Sequence, residues 1–177
     1  MTEHASGTAI AGPLPSGRYT LDPARTTIRA DVKAMFGLLT VHGTFRLRDG
    51  QVDIAADPAV SGVQASIDAG SFASGNATRD ADVVSAALLD TRAYPEITFT
   101  GQGARRDGDG WVVPGTVTAC GTAVPAEVTV TQARLDAGDA WFRATACLDR
   151  TSFGVTRKKG MVGRRVNLVI ESVARPD

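Results

Sequence analysis

Few side chains in this sequence are equipped for chemistry. The histidines are His4 and His42, and the cysteines are Cys120 and Cys147. A structural zinc site draws its ligands from clustered Cys and His, so this scattered supply predicts no metal. Ser-His-Asp chemistry is left with one credible histidine, and period-two alternation puts His42 beside Thr44 and Arg46 on the outward face of a strand. Asp31 and Asp149 also project away from the apolar set. No inward acid has an inward partner, so no carboxyl pair with opposed pKa values is in view for acid–base work. Gly101-Gln102-Gly103 lacks the third glycine and the helix of a dinucleotide loop. Asn76-Ala77-Thr78 matches a glycosylation sequon but has no secretory signal beside it. The dense charge is basic: Arg157, Lys158 and Lys159 with Arg164 and Arg165. Such a cluster attracts a pyrophosphate or an acidic lipid head group. It is equally the composition of a solvated loop between two strands.

What surrounds these residues bounds the class of protein. The chain has 177 residues, 43% of them apolar and 21% charged, which suits one globular domain with a core of its own. Nineteen basic side chains balance nineteen acidic ones, and a phosphate-neutralising nucleic-acid binder needs a basic excess. No stretch approaches the roughly 18 apolar residues of a membrane span, so no stable membrane insertion is expected. Ala9–Leu14 is short and broken by Gly12 and Pro13, unlike a signal peptide, which predicts a cytoplasmic protein. In a reducing compartment Cys120 and Cys147 are expected as two buried thiols, with a cross-strand disulfide as the alternative.

The elements that position these side chains are strands. Ile28, Ala30 and Val32 alternate with Arg29, Asp31 and Lys33; Val41, Gly43, Phe45 and Leu47 alternate with polar neighbours. Asp49-Gly50 has the chemistry of a two-residue hairpin turn before Val52 and Ile54 resume the pattern. Further inward sets are Val63, Ala65 and Ile67; Ile97 and Phe99; Val113, Gly115 and Val117; Ala126, Val128 and Val130; Ala144, Ala146 and Leu148; and Val166, Leu168 and Ile170. Turns are predicted at Asp107–Gly110, Cys120-Gly121 and Ala137–Asp139. Thr78–Leu89 has no Gly or Pro and carries Val83, Val84, Ala87 and Leu88 at helical spacing, which predicts one short helix. Eight or more antiparallel strands suit a closed barrel or a sandwich. Slim inward residues (Ala30, Gly43, Ala65, Gly115, Ala126, Ala144 and Ala146) leave room inside, unless alanine simply faces large neighbours in a packed core.

Tyr19-Thr20-Leu21-Asp22-Pro23, with the strand to Lys33 and Val41-His42-Gly43-Thr44-Phe45, resembles the opening of the YceI-like, polyisoprenoid-binding family. Arg79-Asp80 with Ser85, Leu88, Leu89 and Asp90, then Tyr94–Phe99, is similar to its helix and following strand. Gly115–Thr118 with Gly121 resembles its strand–turn signature. Leu148-Asp149-Arg150, Phe153-Gly154-Val155, Gly163 and Val166 resemble its closing motifs. The likeness runs from Tyr19 to about Ala174. It implies an all-β, extended antiparallel, eight-stranded lipocalin-like barrel over residues 19–174, with one short helical excursion and a flexible tail over 1–18. Where the family often carries histidine this chain has Arg25, Ala34 and Asp82.

The resemblance and the strand parity together predict an apolar interior that carries or sequesters a hydrophobic long-chain ligand, isoprenoid, quinone-like or fatty-acyl. The expected lining is Ile28, Ala30, Val32, Phe36, Phe45, Ile67, Phe99, Val117, Val128, Ala144, Ala146, Leu148, Phe153 and Leu168. Head-group contacts are expected from Arg79, Arg150, Arg157 and Lys158, although Arg79–Asp80 and Arg150 also suit a brace for the barrel rim. No catalytic residue and no cofactor beyond a bound lipid is expected; the partner is a hydrophobic small molecule, and a homodimer stays open. The alternatives are a barrel enzyme that cyclises or isomerises an apolar substrate by shape, and an interaction module without a ligand.

Overall fold

A computed structural model describes residues 14–158 and 161–177. His4, the Ala9–Leu14 run up to residue 13, and Lys159 lie outside the described residues. The strands are β1 (Gly17–Leu21), β2 (Thr27–Ala34), β3 (Leu39–Ile54), β4 (Gly62–Ala73), β5 (Glu96–Gln102), β6 (Arg105–Asp107), β7 (Gly110–Ala119), β8 (Thr122–Asp136), β9 (Asp139–Asp149) and β10 (Val162–Pro176). One helix, α1 (Ala77–Val84), stands between β4 and β5.

Eight strands form a closed antiparallel ring in the order β10-β2-β3-β4-β5-β7-β8-β9, with β9 returning to β10. β6 is a short flap on β7. β1 was not among the strands read from the alternation. It pairs with β10 through Tyr19↔Pro176 and with β3 through Gly17↔Ile54, the two strands that also flank β2. β1 and β2 therefore share one slot, divided by a single turn of helix at Pro23–Arg25 that Asp22 caps by accepting from the Ala24 N–H at 3.0 Å. Strand begins at Gly17, two residues inside the expected tail.

The hairpin expected at Asp49-Gly50 does not form: β3 runs on through both residues. Two irregularities in the β3–β4 ladder, at Thr44/Arg46 and Leu47/Asp49, bend the strand instead. Gly50 is needed for a different reason, because a Cβ there would lie 2.5 Å from Leu21 Cδ1, which packs across from β1. The turns at Cys120-Gly121 and Ala137-Gly138 do form, each with positive φ at both central residues (52° and 72°; 50° and 91°).

α1 is shorter than the Thr78–Leu89 expected. Asn76 caps it, accepting from the Arg79 N–H at 3.0 Å, so the sequon asparagine has a structural task. It stops because the Ser85 hydroxyl and N–H both bond back to the Asp82 carbonyl, ending the i→i−4 ladder. Residues 85–91 fold back, with Leu89 and Thr91 N–H groups meeting the Val83 and Val84 carbonyls. The expected Arg79–Asp80 brace is absent among the described ion pairs: Asp80 accepts from the N–H and hydroxyl of Ser74.

Candidate functional site

The ring encloses an apolar bore in two lobes. The first, about 790 Å³, lies towards the β8–β9 turn and is lined by side chains that include Leu21, Leu47, Val63, Val113 and Phe142. The second, about 1070 Å³, lies under α1 and the β2–β3 turn, among side chains that include Val41, Phe72, Leu88 and Val166. Six aliphatic side chains face both lobes and form a waist: Ile28, Ile67, Ile97, Val117, Leu148 and Leu168, one from each of β2, β4, β5, β7, β9 and β10. Among the described residues no large side chain is completely buried, as expected of a shell of strands around a space. The outer face carries ion pairs such as Arg18–Asp53 (2.8 Å), Arg48–Glu96 (2.9 Å) and Arg143–Glu171 (2.8 Å). That parity is opposite to a transmembrane barrel, whose outer band is apolar.

Strand parity explains where the expected lining falls. Phe99, Val128, Ala144 and Ala146 line the first lobe. Ala30, Val32, Phe45 and Phe153 line the second, and Ile28, Ile67, Val117, Leu148 and Leu168 belong to the waist. The inward phase of β9 survives because the irregularity between β8 and β9 adds its extra residue, Thr131, to β8. Phe36 does not join them. β2 ends at Ala34, and Phe36 sits in the turn with φ 57°, 80% exposed. Ile97, a waist residue, was inward in the alternation but missing from the expected lining, and Leu21 was missed with β1.

The slim inward set divides by type. Ala30, Ala65, Ala126, Ala144 and Ala146 all line the bore. The two glycines leave no space, because phenyl rings lie over them. A Cβ on Gly43 would meet the Phe72 ring at 2.2 Å, and one on Gly115 would meet the Thr100 carbonyl at 2.4 Å and Phe99 at 2.7 Å. Phe99 also lies 2.9 Å from where Gly101, paired with Gly115, would carry its Cβ.

The basic residues have separate fates. Arg150 is buried, and its guanidinium donates to the carbonyls of Gly163 (2.8 Å), Val155 (2.8 Å), Arg157 (2.9 Å) and Val162 (2.9 Å). Burial lowers its pKa, offset in part by Asp149. With four of its five N–H donors committed to backbone it is a rim fastener, and its side chain also borders the second lobe, where one Nη2 hydrogen is left for the head-group contact expected of it. Lys158 is paired with Asp82 on α1. Arg79 and Lys158 reach the second lobe, whereas Arg157 is exposed and does not line it. Arg164 bonds Asp149 at 2.7 Å. Hydrogen bonds from Thr151 and then this arginine hold the Asp149 carboxyl down at about 2.

Of the remaining titratable groups, Arg106 and Asp109 border the first lobe and Cys120 the second, while His42 and Asp31 face outward. His42 Nδ1 lies 2.5 Å from Asp31 Oδ1 on the outer surface. Burial pushes the Asp31 carboxyl up, but the His42 and Arg29 contacts outweigh it and leave it below its ordinary range. Cys120 and Cys147 are both free thiols. Cys147 is exposed on the outer face of β9, contrary to the buried pair expected, because its neighbours Ala146 and Leu148 take the inward positions. Cys120 is half-buried under the second lobe, and burial followed by the nearby Asp90 raises its pKa.

An eight-stranded ring around an apolar bore, with polar groups at its rims and ion pairs outside, defines a lipocalin-like barrel. The model of the YceI-like domain matches residues 19–174, and the chain belongs to that family. It is 30% identical over 142 residues to Protein YceI of Escherichia coli O17:K52:H18, covering 76% of this chain and 73% of that one. It is also 30% identical over 162 residues to a UPF0312 protein of Pseudomonas putida, covering 85% and 84%. Among solved structures, Burkholderia cenocepacia BcnA superposes with a TM-score of 0.78 at 22% identity, covering 86% of this chain and 98% of that one. A polyisoprenoid-binding domain from Saccharophagus degradans does so at 0.67 and 15% identity, covering 90% and 98%. At these identities the structural likeness speaks for the fold.

Proposed function

We propose that this protein binds and carries a hydrophobic, long-chain ligand of isoprenoid or similar kind, held lengthwise in the bore. The observation that carries this reading is the pair of apolar lobes meeting at a waist of six aliphatic side chains. Two lobes in line suit a slender chain better than a compact fused ring. Each CH₂ that leaves water contributes about 0.8 kcal/mol, so a long chain gains affinity without a specific polar partner. Each lobe is also of the size in which proteins commonly hold small molecules. A structural neighbour described as polyisoprenoid-binding points the same way. A carrier is favoured over an enzyme because the pairs Asp31 with His42 and Asp149 with Arg164 stand outside the lobes, and the pair that reaches the second lobe, Asp82 with Lys158, is a salt bridge at its rim.

The test is titration of a fluorescent prenyl probe into wild type, Ala146→Phe and Arg143→Phe. Ala146 lines the first lobe, so its phenylalanine should occupy ligand space and weaken probe binding by about tenfold or more while the fold persists. Arg143 is on the opposite face of β9, bonded to Glu171, and its variant should bind as wild type does. In a packed core the Ala146→Phe ring would instead cost about 1–3 kcal/mol of stability, with no uptake to lose. Probe binding absent from wild type, or unchanged in Ala146→Phe, overturns the reading.

A further inference from the structure

The β2–β3 turn at the mouth of the second lobe exposes large apolar side chains. Phe36 is 80% exposed, Leu38 82%, Leu39 54% and Met35 49%, and beside them, in the turn that leads into β10, Met161 is 50% exposed. The two segments are tied, since the Met35 N–H donates to the Met161 carbonyl at 2.8 Å and Ala34 pairs with Val162. Consecutive positive φ angles at Met35 (49°), Phe36 (57°) and Gly37 (87°) hold the tip out from the barrel. Met35, Leu39 and Met161 also line the second lobe, so the exposed patch continues inward as the cavity wall.

Around this tip the charge is positive. Lys33 and Arg157 are exposed, and Arg79 and Lys158 sit on the rim of the lobe. The carboxylate among the described lining residues is Asp82, which pairs with Lys158. The turn that carries Arg157 and Lys158 adjoins the apolar patch directly, because the Lys158 carbonyl accepts from the Met161 and Val162 N–H groups. Apolar side chains at the apex with cations set behind them are what a peripheral contact with an anionic bilayer requires. The apex enters the head-group and acyl boundary while the cations meet lipid phosphates.

We propose that the Met35–Leu39 tip, with Met161, docks this barrel onto an anionic phospholipid surface and sets the second lobe against the membrane, so that an apolar chain passes between bilayer and bore without crossing water. The route for the ligand rests on the carrier reading above; the docking itself does not. A second copy of this chain is the competing occupant, but a self-association face would set these cations against each other, whereas an anionic surface complements them.

Flotation with vesicles of phosphatidylcholine, with and without phosphatidylglycerol, tests the docking. Uptake of a water-soluble short-chain prenyl probe, measured without vesicles, tests the bore separately. Wild type should float with the phosphatidylglycerol vesicles, and the bound fraction should fall as salt rises. Phe36→Ser/Leu38→Ser should reduce the vesicle partition coefficient by about tenfold or more, the ratio expected from two large apolar side chains. It should keep the wild-type melting temperature and soluble-probe uptake, because both residues are exposed in a turn. No flotation of wild type, or undiminished flotation of the double variant, overturns the docking. Equal flotation with and without phosphatidylglycerol overturns its anionic selectivity. Concentration-dependent dimers that the double variant abolishes, in a protein that does not float, assign the patch to a second copy instead. Flotation without soluble-probe uptake leaves the docking standing and removes the carrier reading.

Discussion

Arg150 donates to carbonyls from two separate segments, Val155 and Arg157 in the loop after β9 and Val162 and Gly163 at the start of β10. A fork of planar N–H donors suits that geometry; an ammonium on a flexible stem does not. Arg150→Met keeps the length and removes the donors, leaving partly buried carbonyls without a partner at about 1–3 kcal/mol each. Urea denaturation should show a loss of about 3 kcal/mol or more, and Arg150→Lys should recover only part of it. A loss below about 1 kcal/mol in Arg150→Met would remove the fastener reading. The sequence singled this residue out but left its role open, because basic residues near a loop read alike until their acceptors are placed. Phe36 shows the same limit from the other side. Its apolar type argued for the interior, and only the end of β2 at Ala34 and the left-handed turn put it outside.

Among the elements, most of the interior was legible because parity alone decides which face a strand residue takes. The exceptions are glycines. Asp49-Gly50 has hairpin chemistry, yet β3 continues through it, and Leu21, far away in sequence, packs where a side chain at Gly50 would stand. Gly43 and Gly115 suggested room, but Phe72 and Phe99 occupy it. In each case the partner comes from another strand, which no local pattern reports. Gly115→Ala tests the β5–β7 contact: its Cβ would press on the Thr100 carbonyl, a backbone atom that cannot swing aside. Thermal denaturation should show destabilisation of about 2 kcal/mol. Gly62→Ala, where the nearest atom is 3.5 Å from the added Cβ, should stay within about 1 kcal/mol of wild type. Similar melting temperatures for both variants would mean that the strands move apart freely.

On the scale of the molecule, the strand count and the inward set followed from alternation, but the way the ring shuts did not. β10 pairs with β9, β2 and β1, and the Asp177 N–H donates to the Arg18 carbonyl at 3.0 Å. Thr20 Oγ1 meets Asp177 Oδ1 at 2.6 Å, across 157 positions of sequence. Loops of that length close slowly, and sheets built on distant pairings fold in about milliseconds to seconds. In stopped-flow refolding, the far-UV signal of the β2–β9 hairpins should therefore return before prenyl-probe uptake, which should accompany the slowest phase. Uptake that precedes or matches the far-UV recovery would show that a partial ring already encloses the probe. The slot shared by β1 and β2 thus gives the bore a birth order: walls first, container last. Until β10 pairs with β9 on one side and with β2 and β1 on the other, the side chains that would hold a ligand are an open apolar sheet with unpaired edges, and the hazard at that moment is a neighbouring chain.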